Sequence, residues 1–324
     1  MIIREANALS KITVSSYDPL FLNEMASIER ETKERYPDFP SWATWMYEHN
    51  PELKKDNIFI AFESDKLAGY GHIIPRPAYE NDPSQVPHTI YLDFNVSVDA
   101  KQPASVRDAL FAALCNRTAE LLKGYPDRKT ELCVQHYSAL EEMIEDISAR
   151  GFQRVESYFL MERDLRLPIP DAPLLNGLVL REWKMETAEE KKKFLELNKL
   201  AFPDESPTLE KLEGIMAIPG WTTYAIFTEV NEVAGLIMFR SDSPTHGYID
   251  DVFVLPEWRR QGLADALVAV GLHHLKEGGF SGVYLNVARS SSSACNLYSK
   301  AGFRAIKEQQ ELRLEWRGEK RSDS

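Results

Sequence analysis

The chain repeats itself, and that repetition limits its fold more than any other feature. Displaced by 166 positions, Ile60, Glu63, Ala68 and Gly69 fall on Ile226, Glu229, Ala234 and Gly235. Displaced by 157, Tyr91, Asp93, Ala109 and Leu110 fall on Tyr248, Asp250, Ala266 and Leu267. Gly151-Phe152 and Gly302-Phe303 close matching helical patterns. Each copy reads in the same order: a strand, two helices, a hairpin, a strand with a long helix behind it, a strand with a short helix, and a last pair of strands over Phe152–Leu165 or Phe303–Trp316. That order predicts an α/β chain of two tandem domains, each a mixed central sheet with helices on both faces. The predicted limits are residues 1–165 and 178–316. Between them lies a linker over 166–177, in a stretch with three prolines (LRLPIPDAPLLNG), and after them a flexible tail over 317–324.

Composition excludes several function classes. With 38 basic and 50 acidic residues the chain carries −12, which argues against a general nucleic-acid binder. Most of that excess lies in the amino-terminal half, where it could draw a cationic substrate or serve solubility alone. No stretch is long and apolar enough to span a membrane, the first residues lack a secretory pattern, and Cys115, Cys133 and Cys295 form neither a metal motif nor a disulfide framework. A cytoplasmic protein without a metal is expected, monomeric or a homodimer. The histidines show no ligand spacing, and Trp42 and Trp45 read as core.

Tyr248–Ala264, YIDDVFVLPEWRRQGLA, carries the chemistry. A strand ends at a Pro-Glu-Trp turn, and Arg259-Arg260-Gln261-Gly262-Leu263-Ala264 then opens a long apolar-faced helix. A helix start offers unpaired N–H groups and the positive end of the dipole, so a phosphate suits it. Gly262 removes a Cβ, Ala264 is small, and the arginines add charge. Each N–H donated to a charged oxygen contributes roughly 1.5–3 kcal/mol, so three or four can hold a pyrophosphate.

The carboxy-terminal half resembles the GNAT acyltransferase superfamily. Its phosphate-cradle pattern stands here as Arg259-x-x-Gly262-x-Ala264, and its second block as Leu285-x-Val287 followed by Ala294-x-x-Leu297-Tyr298-x-Lys300-x-Gly302-Phe303. The resemblance implies acetyl-CoA or another acyl-CoA as co-substrate. Its pantetheine would pair with Val252, Phe253 and Val254, and its pyrophosphate would lie on the amides of Arg259, Arg260, Gln261, Gly262, Leu263, Ala264 and Asp265. Ser291 stands where the family often has Asn, and can still bond a CoA amide. Tyr298 matches the tyrosine that protonates the leaving thiolate. Asp250 matches the carboxylate that takes the amine's proton, and strand alternation puts Asp251 on the other face. Asp204 and Glu205 are reserve contacts for an amine, and Cys295 would serve only a route through an acyl-thiolate.

In the first half the cradle positions hold Ser105 and Arg107 behind Pro103, and Ile147 replaces Tyr298. That copy is expected to support the fold and wall the acceptor pocket without binding CoA normally, as in tandem members such as the mycothiol synthases. The expected activity is acetyl transfer from acetyl-CoA to the primary amine of a small molecule, by direct attack in a ternary complex. The alternatives are a non-catalytic CoA sensor that binds a partner, and a protein or peptide N-acetyltransferase.

Overall fold

The structure, a computed structural model, describes residues 11–39, 43–49, 53–78, 85–203 and 208–317. It divides into two compact units, residues 1–156 with 309–324, and residues 157–308.

In the first unit the strands are β1 (Ile12–Ser16), β2 (Ile58–Glu63), β3 (Lys66–Arg76), β4 (His88–Val96) and β5 (Thr130–Tyr137). The helices are α1 (Leu22–Arg35), α2 (Ala43–His49), α3 (Pro103–Leu122) and α4 (Glu141–Ala149). Asp18 accepts from Leu20 N and caps the 3-10 turn that leads into α1. One face of the sheet is sealed by Met25 and Ile28 of α1 and Met46 of α2 against Ile58, Ile60 and Tyr70. The other buries Leu114 of α3 and Ile147 of α4 against Ile73, Ile90, Leu132 and Leu312. Apolar burial of this kind contributes roughly 1.5–3 kcal/mol per large side chain.

The second unit repeats the plan with β7 (Leu178–Glu182), β8 (Thr222–Thr228), β9 (Val233–Ser241), β10 (His246–Val254) and β11 (Gly282–Ala288). Its helices are α5 (Ala188–Ala201), α6 (Leu209–Met216), α7 (Leu263–Glu277) and α8 (Ser292–Lys300). Thr187 and Glu190 start α5 with a reciprocal capping box, and Thr208 caps α6. The cross-strand row Phe239, Ile249, Leu285 and Met161 faces Leu267 and Leu272 of α7, while Met238 and Phe253 on the other face meet Phe194 of α5 and Leu212 of α6.

Two expectations need correction. The predicted pairs of closing strands are single long strands, β6 (Gln153–Asp164) and β12 (Arg304–Glu315), because neither stretch contains a turn. Their partners also cross the predicted domain limits. β6, from the first half of the sequence, pairs antiparallel with β11 from Tyr158↔Ala288 to Asp164↔Gly282. β12, at the end of the chain, pairs antiparallel with β5 from Gln309↔Tyr137 to Glu315↔Glu131. Each sequence half therefore supplies the last strand of the other unit's sheet. The stretch read as a linker, 166–177, is packed rather than free: Ile169 and Leu174 lie against the core of the second unit. Arg163, 2% exposed, donates to the carbonyls of Asp164 at 2.9 Å, Pro168 at 2.7 Å and Ala301 at 2.5 Å, which fastens that stretch to the end of α8. Residues 318–324, read as a tail, and Trp42 lie outside the described residues, and Trp45 is exposed rather than core. Among the described residues no helix is long and apolar enough to cross a membrane.

Candidate active site

β10 and β11 run in parallel only from His246↔Gly282 to Ile249↔Leu285, after which they diverge. On its other side β10 stays bonded to β9 as far as Val254↔Gly235. The divergence leaves the edge of Val252–Val254 open, and a cleft of about 770 Å³ fills the gap. Its walls are Val252, Phe253 and Val254 of β10, the start of α7 at Gly262–Asp265, and Ser291, Leu297 and Tyr298 around α8. A stretched ligand with amide groups and an anionic end fits such a place, because an open strand edge offers backbone partners and a helix start offers N–H groups.

Gly262 is the N-cap of α7 with φ +78°, and no side chain caps the helix. A Cβ there would meet nothing within 4 Å, so glycine is required by the left-handed backbone rather than by crowding. Arg260, just before it, is also left-handed at φ +65°. Arg259 and Arg260 line the cleft, and Arg259 is held there by its Nε donating to Val254 O at 3.0 Å and its Nη2 to Ala201 O at 3.4 Å, tying the end of β10 to α5. Gln261 lies outside the cleft walls, donating to Glu257 O at 3.4 Å. Leu263, Ala264 and Asp265 line the cleft, Asp265 paired with Lys300 at 3.4 Å. Ser291, at the N-cap of α8, makes no cap bond with its side chain. Trp258, Phe202 and Lys300 also line the cleft and were missed, although Lys300 stood in the second sequence block.

Tyr298 is 8% exposed and stands in the cleft wall, its ring edge-on to Phe303 at 5.7 Å. Burial raises its pKa well above that of a free phenol, and the charge of Asp251 adds to the effect, so it holds its proton at neutral pH. Asp250 accepts from Arg240 Nε at 3.0 Å, while its Oδ2 is buried without a partner among the described residues. Burial raises its pKa to about 6, against the opposing Arg240 charge.

The alternation argument for Asp250 and Asp251 fails at this point in the strand. Ile249 pairs with Phe239 and Asp251 with Met238, so Asp250 is the extra residue of a β-bulge. Cross-strand partners share a face. Asp251 therefore lies with Met238 on the α5 side, where its Oδ2 accepts from Asn198 Nδ2 at 2.9 Å. Tyr248 lies with its partner Arg240 on that same side, opposite Ile249, and Asp250 reaches Arg240 there. Both aspartates thus look to one face. Asp250 does not line the 770 Å³ cleft.

That face carries a polar row, Arg240, Tyr248, Tyr284 and Glu162, in register across β9, β10, β11 and β6. The Arg240 guanidinium lies 4.7 Å from the Tyr248 ring centroid, and His246 stacks on Tyr284 at 4.6 Å while standing 3.3 Å from Glu162. Glu162 could not be assigned from sequence, because it lies in the other half of the repeat. Cys295 donates to Ala288 O at 3.6 Å, and Asp204 and Glu205 lie outside the described residues. Among the described residues no group of three His, Cys, Asp or Glu could hold a metal ion.

The first unit keeps the divergence of its strands but not the cradle. β4 and β5 pair only from His88↔Thr130 to Tyr91↔Cys133. α3 begins at Pro103, so Ser105 and Arg107 stand inside its first turns, and Ile147 is 1% exposed in the core where the second unit has Tyr298. Asp93, the counterpart of Asp250, has its pKa raised to about 7 by burial.

Residues 188–303 match the family model described as "Acetyltransferase (GNAT) family". The mycothiol acetyltransferase of Thermomonospora curvata is 26% identical over 257 residues, 77% of this chain and 79% of that protein. Other curated mycothiol acetyltransferases match over about half of their own length. An N-alpha-acetyltransferase of Sulfurisphaera tokodaii is 30% identical over 125 residues, 35% of this chain and 74% of that protein. Among solved structures, a tandem GNAT protein from the clavulanic acid biosynthesis pathway superposes with a TM-score of 0.68 at 14% identity, over 94% of this chain and 98% of that one.

Proposed function

We propose that this chain, which belongs to the acetyltransferase (GNAT) family, transfers an acetyl group from acetyl-CoA to the primary amine of a small molecule by direct attack in a ternary complex. Members of this family are acetyltransferases, and acetyl-CoA is their acyl donor. The observation that carries the reading is the open wedge of β10 and β11 with the uncapped start of α7 below it and Tyr298 in its wall. The edge of Val252–Val254 would hold the amides of the donor, and the N–H groups of Gly262–Asp265 its pyrophosphate.

The acceptor would lie on the face of Asp250, where Glu162 and Asp242 add negative charge suited to an ammonium. Asp250, with a buried unpaired oxygen, takes the proton that makes the amine nucleophilic, directly or through water. As the nitrogen bonds to the carbonyl carbon and the C–S bond breaks, Tyr298 gives its proton to the departing sulfur. The first unit would not bind CoA, because its wedge meets a proline-started helix and lacks the tyrosine.

The test is release of free CoA from acetyl-CoA across a panel of amines, including the amine that acetylation would convert to mycothiol and a peptide with a free amino terminus. Turnover with one small amine, and its loss in Tyr298→Phe, is the expected result. Acetyl-CoA binding without turnover on any acceptor would favour a sensor instead.

A further inference from the structure

The face that carries Asp250 has a counterpart in the first unit, and the two differ in what stands beside the carboxylate. Displaced by the offsets of the repeat, Tyr91 and Asp93 fall on Tyr248 and Asp250, but Ile74 falls on Arg240. The pairing agrees: Ile74 of β3 stands across from Tyr91 of β4, as Arg240 of β9 stands across from Tyr248 of β10. The second unit has its bulge at that point, whereas in the first the register runs unbroken from Tyr91 through Asp93. The arginine and the bulge come together.

A bulged residue is left out of the ladder, so its side chain is aimed by what it touches rather than by the register. Arg240 supplies that contact. Its Nε donates to Asp250 Oδ1 at 3.0 Å, while its Nη1 donates to Ser241 O at 3.4 Å and lies 3.6 Å from Asp242. The guanidinium also lies 4.7 Å from the Tyr248 ring centroid. Held on those sides, it gives Asp250 one N–H instead of the two of a forked pair, and Oδ2 stays without a partner among the described residues. A forked pair would occupy both oxygens. We propose that Arg240 is the positioning residue of the base: it fixes Asp250 by one oxygen and leaves the other to take the proton of the amine. The inference rests on Asp250 being the base of the proposed reaction.

The contact is electrostatic as well. Burial raises the pKa of Asp250 to about 6, and the charge and hydrogen bond of Arg240 oppose that rise while Asp242 adds to it. The other charged groups of this face are engaged with one another or with α5: Asp251 with Asn198, and Glu162 of β6 with His246. Tyr248 and Tyr284 hold their protons, burial having raised both. In the first unit, with Ile74 in place of the arginine, burial takes Asp93 to about 7. Without Arg240 the carboxyl of Asp250 would keep its proton to a higher pH, because burial and Asp242 remain.

The test is the pH profile of kcat/KM for the acceptor in Arg240→Met, with the Asp250 carboxyl followed by carbon-13 NMR in the same protein. The limb that rises near pH 6 in the natural protein should move up by about one unit or more, and the carboxyl signal with it. Its plateau should fall by up to about 10²-fold, as Asp250 is no longer aimed. Arg240→Lys, which restores the charge, should bring the limb back toward 6. Arg240→Gln keeps a donor without charge and should shift the limb as Arg240→Met does, so it decides should the methionine variant fail to fold. Retained acetyl-CoA affinity shows that each variant folds. A limb and a signal that stay in place in Arg240→Met overturn the positioning role and leave acetyl transfer intact. A signal that moves while the limb does not shows that Asp250 is not the base, and ends the role as well. Absence of turnover by the natural protein on any amine ends the activity and the role together, and is distinguished by appearing before any substitution is made.

Discussion

Tyr298 and Asp250 divide the proton traffic of the proposed reaction between a buried phenol and a carboxylate raised toward neutrality by the same desolvation. Tyr298→Phe keeps the edge-on contact with Phe303 and removes only the hydroxyl. It is expected to lower kcat about 10²–10⁴-fold with little change in the KM for acetyl-CoA, read by thiol release. With its pKa near 6, Asp250 is protonated and idle as a base below that value, so kcat/KM should rise through pH 6 and level off above it. Asp250→Asn should remove that rise along with most of the rate, and a rise that persists in the variant would assign the titration to another group. Tyr298 was singled out by the resemblance, and the structure puts it in the cleft wall. The facing of the aspartates was not legible, since alternation assumes an unbroken register and nothing in Asp250-Asp251 announces a bulge. Arg259 was legible as charge, but its partners are carbonyls on two other stretches of chain.

At the scale of elements, α7 and the divergent strands make the cleft, and Gly262 is where the two meet. Its left-handed backbone would cost a β-branched residue about 1–3 kcal/mol, although the space beside it is open. Gly262→Val is therefore expected to move or fray the first turn of α7 and weaken acetyl-CoA at least tenfold by calorimetry. The apolar face of α7, with Leu267, Val268 and Leu272 fully in the core, keeps the rest of the helix folded, so the melting temperature should fall by only a few degrees. Helix and strand positions could be read well from periodicity, and α7 begins within the segment Arg259–Ala264 that was expected to open it. The divergence of β10 from β11 could not, because each strand separately has an ordinary pattern and only their partner lists differ.

For the whole chain, repetition gave the number of units but placed the cut between them wrongly, since identical order in two copies does not say which strand pairs with which. Residues 166–317 contain every element of the carboxy-terminal half yet lack β6, and with it Met161, Leu165 and the Arg163 bonds that hold Pro168 and Ala301. That fragment is expected to be insoluble or to melt without cooperativity, whereas 153–308, which keeps β6, should show a cooperative melt and bind acetyl-CoA. Circular dichroism and calorimetry on the two fragments check this, and equal behaviour would make the exchanged strand dispensable.

The same exchange bears on how the protein is made. β12 completes the sheet that begins at β1, but residues 157–308 leave the ribosome between them. At about 5–20 residues per second, the amino-terminal sheet waits on the order of 10–30 s with the edge of β5 uncovered. Domain-by-domain folding during synthesis is thereby closed to the first unit. Its Leu132, 0% exposed in the finished sheet with Leu314 of β12 paired opposite it, is a place where a chaperone or a misplaced strand can bind before the chain is finished.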